Sequence, residues 1–282
     1  MAAITDLSDL INRQSGGSNG NPNNLFFHKV PRVAGVAAPA TIAGRGASLW
    51  TYDGVPASGA VPTAVEIPDR STIGALPFLV ATGGRDTHLI GAAVIPSAAG
   101  VYLLYDRLMH IGGLSGTSTA DQSVQGSPAS PALTRNTGGA GNIAWYEIYT
   151  QIGTAAATLT MTYTNQAGTG SRTATINIGQ TNFREVTRAQ RIPLAAGDTG
   201  IQAIEKIALS ASTGTLGNFG ITLAQPLAWI PVGSGGTPGW RDFTTGLPGI
   251  PVLDPNACLA YMFIPNTTAA SELSGCLATV EK

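Results

Sequence analysis

The block from Ala144 to Pro226 constrains this chain most: short segments rich in Thr, Ile and Tyr are cut at regular intervals by Gly, Asn and Asp. Alternation is clearest from Thr158 to Thr164, with Leu159, Met161 and Tyr163 on one side and Thr158, Thr160, Thr162 and Thr164 on the other. A period of two residues predicts a strand with one buried and one wet face. Asn165, Gln166, Ala167 and Gly168 carry turn chemistry, and alternation resumes from Arg172 to Ile178, which predicts a hairpin. Ile204–Ala211 reads the same way, with Ile207 and Leu209 opposite Lys206 and Ser210, and so do Phe219, Ile221 and Leu223. Several short strands at this spacing predict an all-β fold, an antiparallel jelly-roll-like β-sandwich.

A chain of 282 residues is long enough to bury a large core. Only 11% of it is charged, well below the quarter usual for a soluble domain, which suggests a surface covered by neighbours or rich in Thr, Ser and Gly. The 15 basic and 16 acidic residues leave a net charge of −1, with no electrostatic footprint for nucleic acid or an anionic membrane. No apolar run reaches the roughly 20 residues of a membrane span, and the N-terminus lacks the order of a secretory signal, so assembly in a cytoplasm is expected. Cys258 and Cys276 lack zinc-site spacing and are expected to be free thiols.

At the N-terminus, Ile4, Leu7, Leu10 and Ile11 recur at helical spacing, and Thr5 or Asp6 can cap a short helix over Thr5–Arg13. Ser15–Asn24 is Gly, Ser and Asn with one Pro, the composition of a tether. Residues 1–48 are therefore expected to form an extended N-terminal arm, and residues 49–282 the sandwich with its long loops. In the stretch before Ile95, Pro31, Pro39, Pro56, Pro62, Pro68 and Pro77 argue against central strands at those points, so extended pieces wrapped over a larger sheet are expected. Val101–Met109, an apolar strand from Pro226 to Val232, Cys258–Ile264 and Leu277–Val280 complete the strand set.

Motifs that would carry chemistry fail on context. Gly139, Gly141 and Ala144 match a loose GxGxxA, but Trp145, Tyr146, Glu147 and Ile148 follow as a strand, where phosphate binding needs a helix N-terminus. Ser115 and Ser234 sit beside glycines outside any GxSxG elbow. His28, His88 and His110 are far apart; Asp86 lies two residues from His88, on one strand face, and Asp106 four from His110, pairs that could mimic a metal or acid/base site, but two groups do not make a metal site. Trp229, Trp240, Tyr146 and Tyr149 offer a sugar-stacking platform, although aromatics on strands are more often core or subunit-interface anchors. No catalytic, cofactor or metal residue is assigned.

The segments VYLLYDRLMHIGGLSGTSTADQSV, WYEIYTQIGTAAATLTMTYTNQAGTGSRTATINIG and RIPLAAGDTGIQAIEKIALSASTGTLGNFGITLAQPLAWIPV, with the turns YTNQAGTGSRTA and AGDTG, span Val101 to Val232. Together they resemble virion structural proteins of tailed bacteriophages, of the head-decoration or minor-capsid (cement) kind. The resemblance implies a sandwich in a symmetric particle, with no enzymatic residue to carry over. The expectation is a homo-oligomer, a trimer, bound to the major capsid protein or other virion proteins and stabilising the head without chemistry. Ile4, Leu7, Leu10 and Ile11 are the expected inter-subunit contacts. The competing expectation is a tail or spike protein that binds a receptor or glycan through exposed aromatics and the loops near Gly112–Thr119 and Gly233–Trp240.

Overall fold

The computed structural model describes residues 6–14, 23–81, 84–123, 132–245 and 249–281. It is an all-β sandwich in which every strand pairing is antiparallel. At its centre is a ring: Asn218–Val232 (β15), Ile143–Thr150 (β10), Arg188–Ile192 (β13), Gly46–Ser48 (β4), Leu259–Pro265 (β18) and Gly100–Leu114 (β8) pair in that order. A further pairing of β8 with β15 closes them into a six-stranded barrel. Val65–Glu66 (β6) extends the far end of β8. Closure removes the sheet edges that a flat sheet would leave open.

One sheet packs on each side of the barrel. The first is Arg172–Ile178 (β12), Ala157–Asn165 (β11), Ile201–Leu209 (β14) and Gln122–Ser123 (β9). Leu159, Met161, Tyr163 and Ile207 turn inward from it and meet Leu108, Met109, Tyr146, Ile148 and Ile221 of the barrel in one core. The hairpin of β11 and β12 forms where the alternation predicts it, in register from Ala157–Ile178 to Tyr163–Arg172. The AGDTG turn ties that hairpin down: Asp198 accepts from Tyr163 Oη (2.5 Å), Arg172 Nε (2.9 Å) and Asn165 Nδ2 (2.8 Å). The Arg172 guanidinium, then the Tyr163 hydroxyl, hold the Asp198 carboxyl down to about 2.

The second sheet is Gly239–Asp242 (β16), Thr87–Pro96 (β7), Leu273–Glu281 (β19), Asn23–Val30 (β1) and Asp53–Val55 (β5), with Val252–Leu253 (β17) also pairing β7. Phe27, Leu89, Val94, Leu273 and Leu277 pack from it against Tyr102, Leu104, Ile230, Tyr261 and Phe263 of the barrel. Arg32–Val33 (β2) and Val36–Ala37 (β3) form a small separate hairpin, and Leu7–Gln14 is the helix (α1). A third core, with Trp50, Leu103, Tyr105, Trp145, Ala189, Ala260 and Met262, fills the barrel. Strand β8 therefore serves three cores: Tyr102 and Leu104 face the second sheet, Leu103 and Tyr105 the barrel interior, and Leu108 and Met109 the first sheet.

Three expectations are corrected. The division at residue 48 does not follow the pairing, because β1 lies between β19 and β5 and β4 between β13 and β18. Leu25 and Phe27 alternate inward from β1, and Phe27 packs on Tyr261 with ring centroids 5.2 Å apart, so this segment has apolar surface to bury. Buried Lys29, on the same face, donates to the carbonyls of Tyr52, Pro56 and Ala57, which joins β1 to the residues on either side of β5. Next, β7 is an interior strand paired with β19 and β16, not a piece wrapped over a sheet. Finally, Pro226 does not begin a new strand: β15 runs through it, and a register shift between Pro226 and Ala228 spares the missing ladder donor. The other early prolines, from Pro31 to Pro77, lie outside the strands as expected.

Candidate functional site

A small group of buried titratable side chains gathers around β8 and β10, inside the barrel. Arg107 on β8 and Glu147 on β10 flank β15, where Glu147 pairs with Gly220 and Arg107 with Ala224. Both are fully buried and meet in a two-point bond, Nη1 to Oε1 at 2.9 Å and Nη2 to Oε2 at 3.0 Å. The remaining Arg107 donors reach Tyr105 Oη (3.2 Å), Tyr149 Oη (2.9 Å) and His110 Nδ1 (2.8 Å), so all five N–H groups are used. The ring of Trp50 lies 4.7 Å from the guanidinium carbon.

Since Arg107 can only donate, His110 Nδ1 is an acceptor, and its Nε2–H points to Glu66 Oε2 at 2.9 Å. Burial, then the adjacent Arg107, hold the imidazole down to about 2, and the half-exposed Glu66 is too well solvated to reverse this. The imidazole is neutral with both nitrogens occupied. Behind it, Arg135 holds Asp106 by a second two-point bond, Nε to Oδ2 at 2.8 Å and Nη2 to Oδ1 at 3.0 Å. In this constellation both ring nitrogens and all five Arg107 N–H groups are spent on structure, so it acts as a polar plug that fixes the barrel's contents. Sequence reading noted Asp106 near His110 but not the assembly, because the residues of β8 meet partners from other segments, with bonded pairs up to 44 positions apart.

The other sequence candidates do not converge. Among the described residues no group of three His, Cys, Asp or Glu side chains could hold a metal ion. Ser115 Oγ bonds Thr117, and Ser234 Oγ bonds the Gly235 carbonyl. Gly139 and Gly141 lead into strand β10, as the context predicts. Tyr146 and Tyr149 are buried, so the four-aromatic platform does not assemble; Trp229 and Trp240 are exposed. Both cysteines are free, Cys258 buried and Cys276 half-buried.

A different surface stands out, the outer face of the second sheet. Residues directly opposite in antiparallel strands share a face. Phe26 is opposite Cys276, Cys276 opposite Ala93, and Ala93 opposite Trp240, so these four form a row across the sheet. Beside it run Val55, His28, Ser274 and Ile95. The exposures are 74% for Phe26, 68% for Trp240, 65% for Val55 and 53% for Ile95. The Phe26–Trp240 row is apolar throughout, and in the neighbouring row His28 and Ser274, bonded at 2.8 Å, separate Val55 from Ile95.

Helix α1 lies beside β19 in the same sheet. Asp6 caps its start, accepting from the Asp9 amide at 2.8 Å, as the sequence predicts. Of the four expected contact residues, Leu7 and Ile11 are 69% and 56% exposed, so among the described residues these two side chains stay largely uncovered. Ile4 and the side chain of Leu10 lie outside the described residues. Among the described residues no helix is long and apolar enough to cross a membrane.

No family model matches the chain, and no curated protein does. Among solved structures, the crystal structure of the infectious bursal disease virus VP2 subviral particle is similar at 8% identity, over 96% of this chain and 85% of that chain, with a TM-score of 0.19. A likeness of that size carries no argument about this protein.

Proposed function

We propose that this protein is a structural subunit of a virus particle, of the bacteriophage head-decoration kind, working by burial of surface rather than by chemistry. The observation that carries the reading is the apolar row from Phe26 to Trp240, whose ends are exposed among the described residues. Copies of the chain, as a trimer, and the shell protein beneath are the partners that would cover it, with Leu7 and Ile11 of α1 as a second contact. Near-zero net charge suits such an assembly, since like subunits do not repel. Residues 1–22 precede β1, so an arm of this length can engage a neighbour without loss of a strand.

The test is cosedimentation of the purified protein with capsids that lack it, followed by electron microscopy. Saturable, regular decoration that is lost in Phe26→Ser/Trp240→Ser supports the reading; absence of binding to heads removes it. A receptor- or glycan-binding role in a tail or spike is the second reading, favoured by the exposed indoles of Trp229 and Trp240.

A further inference from the structure

The barrel has an open end, and its lining is chemically distinct from the apolar sheet face. A cleft of about 310 Å³ is bounded by Arg45, Trp145, Gln190, Arg191, Trp229 and Ile264, with Gly46 beneath. These residues come from β10, β13, β15, β18 and β4 or the residue before it, so five of the six barrel strands converge there. Trp145 and Arg191 are directly opposite across β10 and β13, while Trp229 pairs with Leu103 of the inner core. Barrel mouths of this size commonly take small ligands.

Four properties of the lining define what would fit. No carboxylate is among the lining residues, whereas two guanidinium groups are. Arg45 is held in place by stacking on Phe183, its guanidinium carbon 4.3 Å from the ring centroid, so less side-chain freedom is lost when an anion binds. Two indoles border the cleft: Trp229 is partly open to solvent and Trp145 is 3% exposed. Finally, the Trp145 Nε1–H and the Gln190 Oε1 are buried without a hydrogen-bond partner. Both atoms are closed off from solvent, so a ligand in the cleft reaches them only if a side chain shifts, and the guanidinium groups and the Trp229 ring carry the recognition.

We infer that this barrel mouth binds a carboxylate-bearing sugar, the carboxylate taken by Arg45 and Arg191 and the apolar ring face stacked on Trp229. An extended peptide fits less well, because all six barrel strands are paired and offer no edge for strand addition. A nucleic-acid strand would need a basic track, which a chain of net charge −1 with two arginines here does not supply. A second cavity of about 530 Å³ shares Gln190 and Arg191 with the first, but its lining includes the Asp198 carboxylate, so the anion site is confined to the first cleft.

The test uses a printed array of neutral and carboxylate-bearing oligosaccharides, then a tryptophan-fluorescence titration with the tightest binder. A carboxylated sugar should be retained over its neutral counterpart by about tenfold or more, and Trp229→Ala and Arg191→Gln should each weaken it by about tenfold or more. Both side chains are exposed, so thermal midpoint and oligomeric state should match the parent protein. Retention of no carboxylated sugar above its neutral counterpart overturns the inference, as does unchanged binding by both variants. A changed oligomeric state in Trp229→Ala would also overturn it, since the cleft would then be a subunit contact. The cleft lies on the barrel and the assembly patch on the second sheet, so either reading can fail without the other.

Discussion

Arg107 and Glu147 face each other across β15 at 2.9 and 3.0 Å, both excluded from water, in the middle of a closed barrel. A buried pair of this kind is a poor source of net stability but a strict one: loss of either partner strands the other charge. Glu147→Gln or Arg107→Met should lower unfolding free energy by about 3–5 kcal/mol. The double variant Arg107→Met/Glu147→Leu should cost far less than the two single costs together. Denaturant melts of the four proteins measure the coupling, and simple additivity would show that the pair does not hold the barrel's contents.

Gly220 lies beneath that pair, opposite Glu147. A Cβ there would fall onto the Ile111 carbonyl and approach Tyr149 Cε2 to 2.8 Å. Gly220→Ala should therefore destabilise by about 1–3 kcal/mol, because β8 and β10 cannot both move aside in a closed ring. An unchanged thermal midpoint would mean that the ring is looser than these contacts imply.

The acid limb of stability should carry the signature of His110. Its imidazole titrates near 6.5 in the unfolded chain but stays neutral down to about 2 when folded. Between those values the unfolded state binds the extra proton. The contribution is therefore intact above pH 6.5 and falls as pH drops, by about 1.4 kcal/mol per pH unit. His110→Gln, which keeps an acceptor for Arg107 and a donor for Glu66, should flatten the slope in urea melts from pH 7.5 to 4. Equal slopes for the two proteins would remove His110 as the cause.

The two thiols report on different surfaces. Burial pushes Cys258 up to about 12, and it should resist thiol reagents until the protein unfolds. Cys276 lies in the Phe26–Trp240 row and should react in the isolated subunit. On assembly through that face its labelling rate should fall about tenfold or more, by steric exclusion. Labelling at the same rate in isolated and assembled protein would place the contact elsewhere.

Deletion of residues 1–22 should leave the melt unchanged to within about 0.5 kcal/mol, since β1 begins at Asn23, while abolishing attachment to the shell. Deletion through Val30 removes a strand that pairs on both sides and should prevent folding. Full occupancy of capsids by the shorter truncation would exclude the arm from assembly.

The parts legible in the sequence were those with local causes. The hairpin of β11 and β12 was readable because alternating Thr and apolar residues flank a turn rich in Asn and Gly. The short helix and its Asp6 cap were readable from spacing alone. Strand β10 was legible as a strand but not in its role, since Ala144, Tyr146 and Ile148 face one core while Trp145 and Glu147 face another, which erases the polar–apolar signal. The three-residue β4 is too short to carry any period, yet it closes the ring between β13 and β18.

By itself, then, the sequence determined fold class, because strand propensity, alternation and turn chemistry are properties of neighbouring residues. Closure of the barrel, the pairing of Arg107 with Glu147, the row from Phe26 to Trp240 and the cleft beside Trp229 were decided only by the tertiary structure. Each depends on register between strands far apart in the chain, and a shift of one residue would turn every side chain of a strand to its opposite face.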